Sequence, residues 1–112
     1  MQELMKKLRM FASERDWEQF HSPKNLSMAL AVETAEIMEH FQWLTEEQSR
    51  NLDNKTLEKV KEEIADTQIY LARLADQLGI DPITAANEKL IKNADKYPVE
   101  KAKGSAKKYT DL

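Results

Sequence analysis

The chain has 112 residues, no cysteine and a formal net charge of -3. That length predicts one domain with a modest core, and the lack of cysteine excludes a disulfide framework and a thiolate-held zinc. The acidic balance argues against nucleic acid as a general partner, and with no apolar run near a membrane span and no signal-peptide pattern at the start, the expected location is the cytoplasm, without a membrane partner.

Glycine and proline number only 2 and 3, and between residues 24 and 97 only Gly79 and Pro82 act as strong breakers. Ala, Leu, Glu, Lys and Gln are abundant and no period-2 alternation is sustained, so the chain reads as all-α. A first helix is predicted over residues 2–17, with Leu4, Met5, Leu8 and Phe11 on one face. Pro23 stops it within a turn over 20–24, because a residue before proline avoids the helical region. A second helix follows over 25–41. Thr45 and Gln48 have the spacing of a capping box and open a short helix ending near Leu52. The third main helix is expected over 55–78, stopped by Gly79. Asp81-Pro82 caps a fourth, which runs to Lys96 and ends at Tyr97-Pro98. Residues 99–112, with Lys101, Lys103, Lys107 and Lys108, read as a flexible tail behind a domain at 1–98.

The chemistry concentrates in two acidic pairs, Glu33-x-x-Glu36 and Glu63-x-x-Asp66. At i,i+3 on a helix each pair aims two carboxylates the same way. In the second helix the apolar stripe is Leu26, Ala29, Leu30, Ile37 and Phe41, and Glu33 occupies a stripe position where a purely structural helix would place an apolar residue. In the third, Glu63 and Asp66 flank a stripe of Leu57, Val60, Ile64, Leu71, Leu74 and Leu78, and Tyr70 continues their line. Single acidic pairs on a highly charged chain are usually solvated. Two pairs on neighbouring helices form a cluster that repels itself unless protonated or bound to cations. All-oxygen ligands select hard cations, Mg²⁺ or Mn²⁺, and hydrolysis of phosphate esters or anhydrides is the matching reaction class. Lys89, Asn93 and Lys96 share one polar helix face, and Trp17 and Trp43 offer stacking surfaces, although lysines usually face solvent and tryptophans usually pack. A di-iron bundle needs Glu-x-x-His motifs, which neither His21 nor His40 completes. A helical interaction module without chemistry explains the helices but not the acids along the stripe. Met28, Val32 and Met38, with Tyr70 and Leu74, widen the apolar arcs beyond what one short chain covers, which points to self-association as a two-fold dimer or a pair of dimers.

The paired acids resemble the metal signature of the all-α nucleoside triphosphate pyrophosphohydrolases, the MazG-like superfamily. Glu14-Arg15-Asp16-Trp17-Glu18-Gln19-Phe20-His21, Pro23, Asn25-Leu26, Phe41-Gln42-Trp43 and the stretch from Lys89 to Tyr97-Pro98 resemble its dCTP pyrophosphatase branch, so the likeness covers residues 11–98. The resemblance implies a four-helix MazG-like bundle completed by self-association as a dimer or homotetramer, with sites built between subunits. It implies that Glu33, Glu36, Glu63 and Asp66 hold Mg²⁺. It implies that Trp17, Glu18, Gln19, Phe20 and His21 line a base and sugar pocket closed by Trp43, with Tyr70 on the phosphates and Lys89 and Asn93 on phosphate or sugar. The implied reaction is water attack at the α-phosphate of a nucleoside triphosphate, giving monophosphate and pyrophosphate. The branch carries a histidine in the first helix where this chain has Leu8, so the resemblance implies looser cytosine selectivity and turnover of other deoxynucleoside triphosphates besides dCTP. A MazG-like nucleotide-binding or regulatory protein with little turnover is the alternative.

Overall fold

Most helix starts here are set by short polar side chains that accept the orphan N–H groups of a first turn. In the computed structural model, which describes residues 1–112, every regular element is helical. Helix α1 spans Gln2–Glu14, shorter than predicted. The chain leaves it through Asp16 at φ 53, a left-handed conformation that Asp tolerates better than most residues. The Asp16 and Trp17 amides then donate to Ser13 O and Ala12 O at 3.1 and 2.9 Å, a Schellman closure that takes Trp17 out of the helix.

A 3₁₀ turn over Glu18–Phe20 leads into α2, Pro23–Glu39. Pro23 is the first residue of this helix, not a stop before it. Its missing N–H is one that a first turn leaves unpaired anyway, and Ser22 caps the helix by accepting from the Asn25 amide at 3.1 Å. Thr45 and Gln48 make the reciprocal capping-box bonds, 3.1 and 3.0 Å, that open α3, Glu46–Ser49. Asp53 caps α4, Asn54–Gln77, by accepting from the Thr56 amide at 2.7 Å. Gly79 follows α4 at φ 68, where a side chain would be strained. Asp81 accepts from Ile83 and Thr84 at the start of α5, Pro82–Lys96. The region read as tail carries α6, Val99–Ala102, and a 3₁₀ turn over Tyr109–Asp111.

Contacts divide the chain into two compact units, Met1–Ile80 and Asp81–Leu112. In the first, α2 and α4 pack along each other and α1 lies against α4. Met5 is buried against Ala72 and Ala75, with Met1, Leu4 and Leu8 around it. The small side chains at 72 and 75 let α1 approach closely, and burying Met5 contributes on the order of 1.5–3 kcal/mol. Leu26 and Val60 are also buried. The predicted stripe of α4 is split: Val60 is buried and Leu74 half-buried, whereas Leu57, Ile64, Leu71 and Leu78 are exposed at a strict seven-residue spacing. Met28, Val32 and Met38 on α2 are exposed as well, the excess apolar surface expected from the sequence. In the second unit the Tyr97 and Tyr109 rings meet edge to face at 6.1 Å, and Lys96 Nζ stands 5.0 Å above the Tyr109 ring. No helix is long and apolar enough to cross a membrane.

Candidate functional site

The packing of α2 on α4 brings the acidic pairs face to face. One carboxylate oxygen from each of Glu33, Glu36 and Glu63 lies within 4.8 Å of the other two. Glu36 is the common neighbour, its carboxylate raising the proton affinity of both Glu33 and Glu63. Asp66 is more exposed and stands outside that tight trio, although its charge is felt by both Glu33 and Glu63. His40 Nε2 lies 3.9 Å from Glu63 Oε1.

Such crowding shows in the protonation of the group. Burial, then the hydrogen bond to Glu36 and the charges of Glu36, Asp66 and Glu63, push the Glu33 carboxyl from its ordinary 4.5 up to about 7. The Glu63 carboxyl is also raised, first by its hydrogen bond to Glu36 and then by burial. Oε2 of Glu33 and Oε2 of Glu63 are buried with no hydrogen-bond partner. Unsatisfied, mutually repelling oxygens of this kind are what a hard divalent cation satisfies, so the donor set fits Mg²⁺ or Mn²⁺.

The sign of the effect on stability follows. Without metal, the folded protein holds a proton on Glu33 that the unfolded chain releases, so between about pH 4.5 and 7 this group makes folding less favourable as pH rises. Glu33→Gln should therefore melt progressively higher than wild type as metal-free buffer is taken from about pH 5 to 8, and added MgCl₂ should stabilise wild type more at the higher pH. A difference between the two proteins that stays constant across that range would contradict the assignment.

Beside the carboxylates is a cavity of about 70 Å³ lined by Leu8, Phe11, Ala12, Trp17, His21, Ile69, Tyr70 and Arg73. The Schellman turn at the end of α1 swings Trp17 over it, edge to face with Phe11 at 5.8 Å and with His21 at 6.4 Å. On α4, Glu63, Asp66, Tyr70 and Arg73 fall within about 80° of arc, so the carboxylates and the cavity lie along one side of a single helix.

The structure thus brings Glu33, Glu36 and Glu63 together, and Trp17, His21 and Tyr70 together. Within the first unit, Glu18, Gln19, Phe20 and Trp43 do not line these places. Glu18 borders a different, open depression with Arg9, Arg73, Asp76 and Gln77. The Gln19 amide donates to the Asp16 backbone and carboxylate. Phe20 projects outward, and its carbonyl accepts from Asn25. Trp43 is 87% exposed. Lys89 and Asn93 are on α5, in the second unit. Two residues were missed by sequence reasoning. His40, set aside because it completes no Glu-x-x-His motif, is four residues after Glu36 on the same helical face, the spacing that brings it to Glu63. Arg73 gave no signal on so charged a chain, yet it is buried.

Comparison with known proteins adds the lineage. Mouse and human dCTP pyrophosphatase 1 are 45% and 40% identical over 104 residues, 91% of this chain, and the chain spans 61% of the length of each. The crystal structure of a pyrophosphatase from Archaeoglobus fulgidus is 41% identical with a TM-score of 0.83, covering 88% of this chain and 92% of that one. The MazG-like family matches residues 28–112. With the paired acids of α2 and α4 inside the matched region, the chain belongs to the MazG-like family.

Proposed function

We propose that this protein is a divalent-cation-dependent nucleoside triphosphate pyrophosphohydrolase, converting dCTP and other deoxynucleoside triphosphates to monophosphate and pyrophosphate. The observation that carries the reading is the meeting of Glu33, Glu36 and Glu63 around unpartnered oxygens, next to a cavity walled by Trp17. Kinship with proteins named dCTP pyrophosphatase 1 and with a solved pyrophosphatase supports the substrate class.

Glu33, Glu36, Glu63 and Asp66 would hold Mg²⁺ or Mn²⁺. A cation held there would offset phosphate charge and lower the pKa of a bound water. Trp17 walls the base, and Tyr70, one turn beyond Asp66, reaches sugar or phosphate with its phenol. Glu18, Gln19 and Phe20 hold the turn that presents Trp17 and His21. Lys89 and Asn93 supply donors for phosphate or sugar, and Trp43 closes on the base. The exposed apolar stripes of α2 and α4 support self-association as a dimer or homotetramer, in which Trp43 of one subunit serves the pocket of another. A cytoplasmic location is consistent with such a substrate. A regulatory nucleotide binder remains the second reading, and turnover separates the two.

The products test the reaction. Incubation of dCTP with the protein and MgCl₂ should release pyrophosphate and dCMP, and water labelled with heavy oxygen should leave its label in the dCMP. Stepwise release of orthophosphate would assign a different phosphohydrolase, and binding without hydrolysis would favour the regulatory reading.

A further inference from the structure

A guanidinium is costly to bury unless its N–H groups are paired. The Arg73 side chain is only 5% exposed, yet it is incompletely paired. Its Nε donates to His21 Nδ1 at 3.3 Å. Its Nη1 stands 3.8 Å from Asp76 Oδ2, but that carboxylate already accepts two 2.6 Å bonds from Arg9. Its Nη2 is buried with no partner at all. Two guanidinium groups therefore share one carboxylate, and an unspent donor is left in a residue that lines the cavity below Trp17.

Arg73 also acts on its neighbour. Because His21 Nδ1 accepts from Arg73, any single proton on that ring resides on Nε2. Burial, and then the Arg73 charge, lower the affinity of His21 for a second proton. The rest of the cavity wall is apolar apart from Tyr70: Leu8, Phe11, Ala12, Trp17 and Ile69. Position along α4 completes the case. Arg73 follows Asp66 by seven residues, about 10 Å along the axis and on the same side of the helix, with Tyr70 between them. A nucleotide with its phosphates at the carboxylates and its sugar at Tyr70 would bring its base to the His21 ring that Arg73 holds.

We propose that Arg73 determines the base preference of this pocket through His21: it holds the ring with its proton on Nε2, so that His21 donates to the acceptor edge of the base, favouring cytosine, whose adjacent O2 and N3 both accept, over thymine, whose N3 donates. The proposal rests on the nucleotide reading above and deepens it. It assigns base preference to a histidine tautomer fixed by a buried guanidinium, ranking substrates that the carboxylates process alike.

The test compares wild type, Arg73→Met and Arg73→Lys with dCTP and dTTP. Met keeps the length without donors. Lys keeps the charge and the stem without the fork, and guards against a Met variant that does not fold. Both variants should lose about tenfold or more in kcat/KM for dCTP, through KM, while dTTP changes by less than about threefold. Equal losses on both substrates would mean Arg73 is only structural, and no loss on dCTP would mean it sets no base preference; either overturns the proposal. A wild type that hydrolyses no triphosphate overturns the nucleotide reading and this proposal with it, whereas an active wild type with an unchanged dCTP to dTTP ratio in the variants overturns this proposal alone. A second readout needs no activity. Proton–nitrogen correlation spectra of nucleotide-free wild type should show the His21 proton on Nε2, with Nδ1 tautomer growing in Arg73→Met. A wild-type proton on Nδ1 overturns the assignment.

Discussion

Replacing Glu36, Glu63 or Asp66 singly with alanine should lower turnover by at least about 10²-fold, the scale of losing one preorganised electrostatic element. Chelation with EDTA should abolish turnover in wild type, and Mg²⁺ or Mn²⁺ should restore it. The variants should not melt lower than wild type in metal-free buffer. Glu36 crowds Glu33 and Glu63 in a group whose oxygens are partly unsatisfied, so removing a member relieves repulsion as it removes a ligand. Activity and apo stability should thus move in opposite directions. Near wild-type rates in all three variants would sink the site.

Trp43→Ala should raise KM for dCTP about tenfold or more, since stacking a base on an aromatic ring contributes about 1–3 kcal/mol. Its melting temperature should change little, because a ring that is 87% exposed loses almost no packing when removed. Trp17→Ala should raise KM similarly but also cost stability, as its ring contacts Phe11 and His21. If Trp43→Ala instead melts several degrees lower with KM unchanged, Trp43 is an interface anchor and not a pocket wall. Titrating dCTP against each variant, alongside thermal melts, separates the two roles.

What local chemistry encodes was legible. The Thr45 capping box, the Asp81-Pro82 start and the Gly79 stop each act within one helical turn, and each is found. Pro23 was misread because the same fixed φ that ends one helix also begins another, and only the Ser22 cap decides which. The end of α1 was missed because Asp16 is not the glycine that usually marks a left-handed closure. On α4 the apolar stripe read from the sequence is buried at Val60, but the rest of the burial goes to Ala72, Arg73 and Ala75. Hydrophobic spacing records that a face is apolar; it does not say what covers it. The acidic pairs stood out because a carboxylate at a stripe position conflicts with its surroundings, whereas a buried arginine on a chain with 33% charged residues conflicts with nothing visible.

The alignment of Glu63, Asp66, Tyr70 and Arg73 on one side of α4 also sets which lengths of chain evolution can keep. Each residue of helix turns the backbone by about 100° and advances it about 1.5 Å. One residue inserted or deleted between Asp66 and Tyr70 would rotate everything beyond it away from the carboxylates and drive Ala72 and Ala75 out of register with Met5. Substitutions along this stretch are graded in effect; a change of length there is all or nothing. Insertions should instead be tolerated between α6 and the 3₁₀ turn over Tyr109–Asp111, where the exposed residues 103–108 carry none of the site residues.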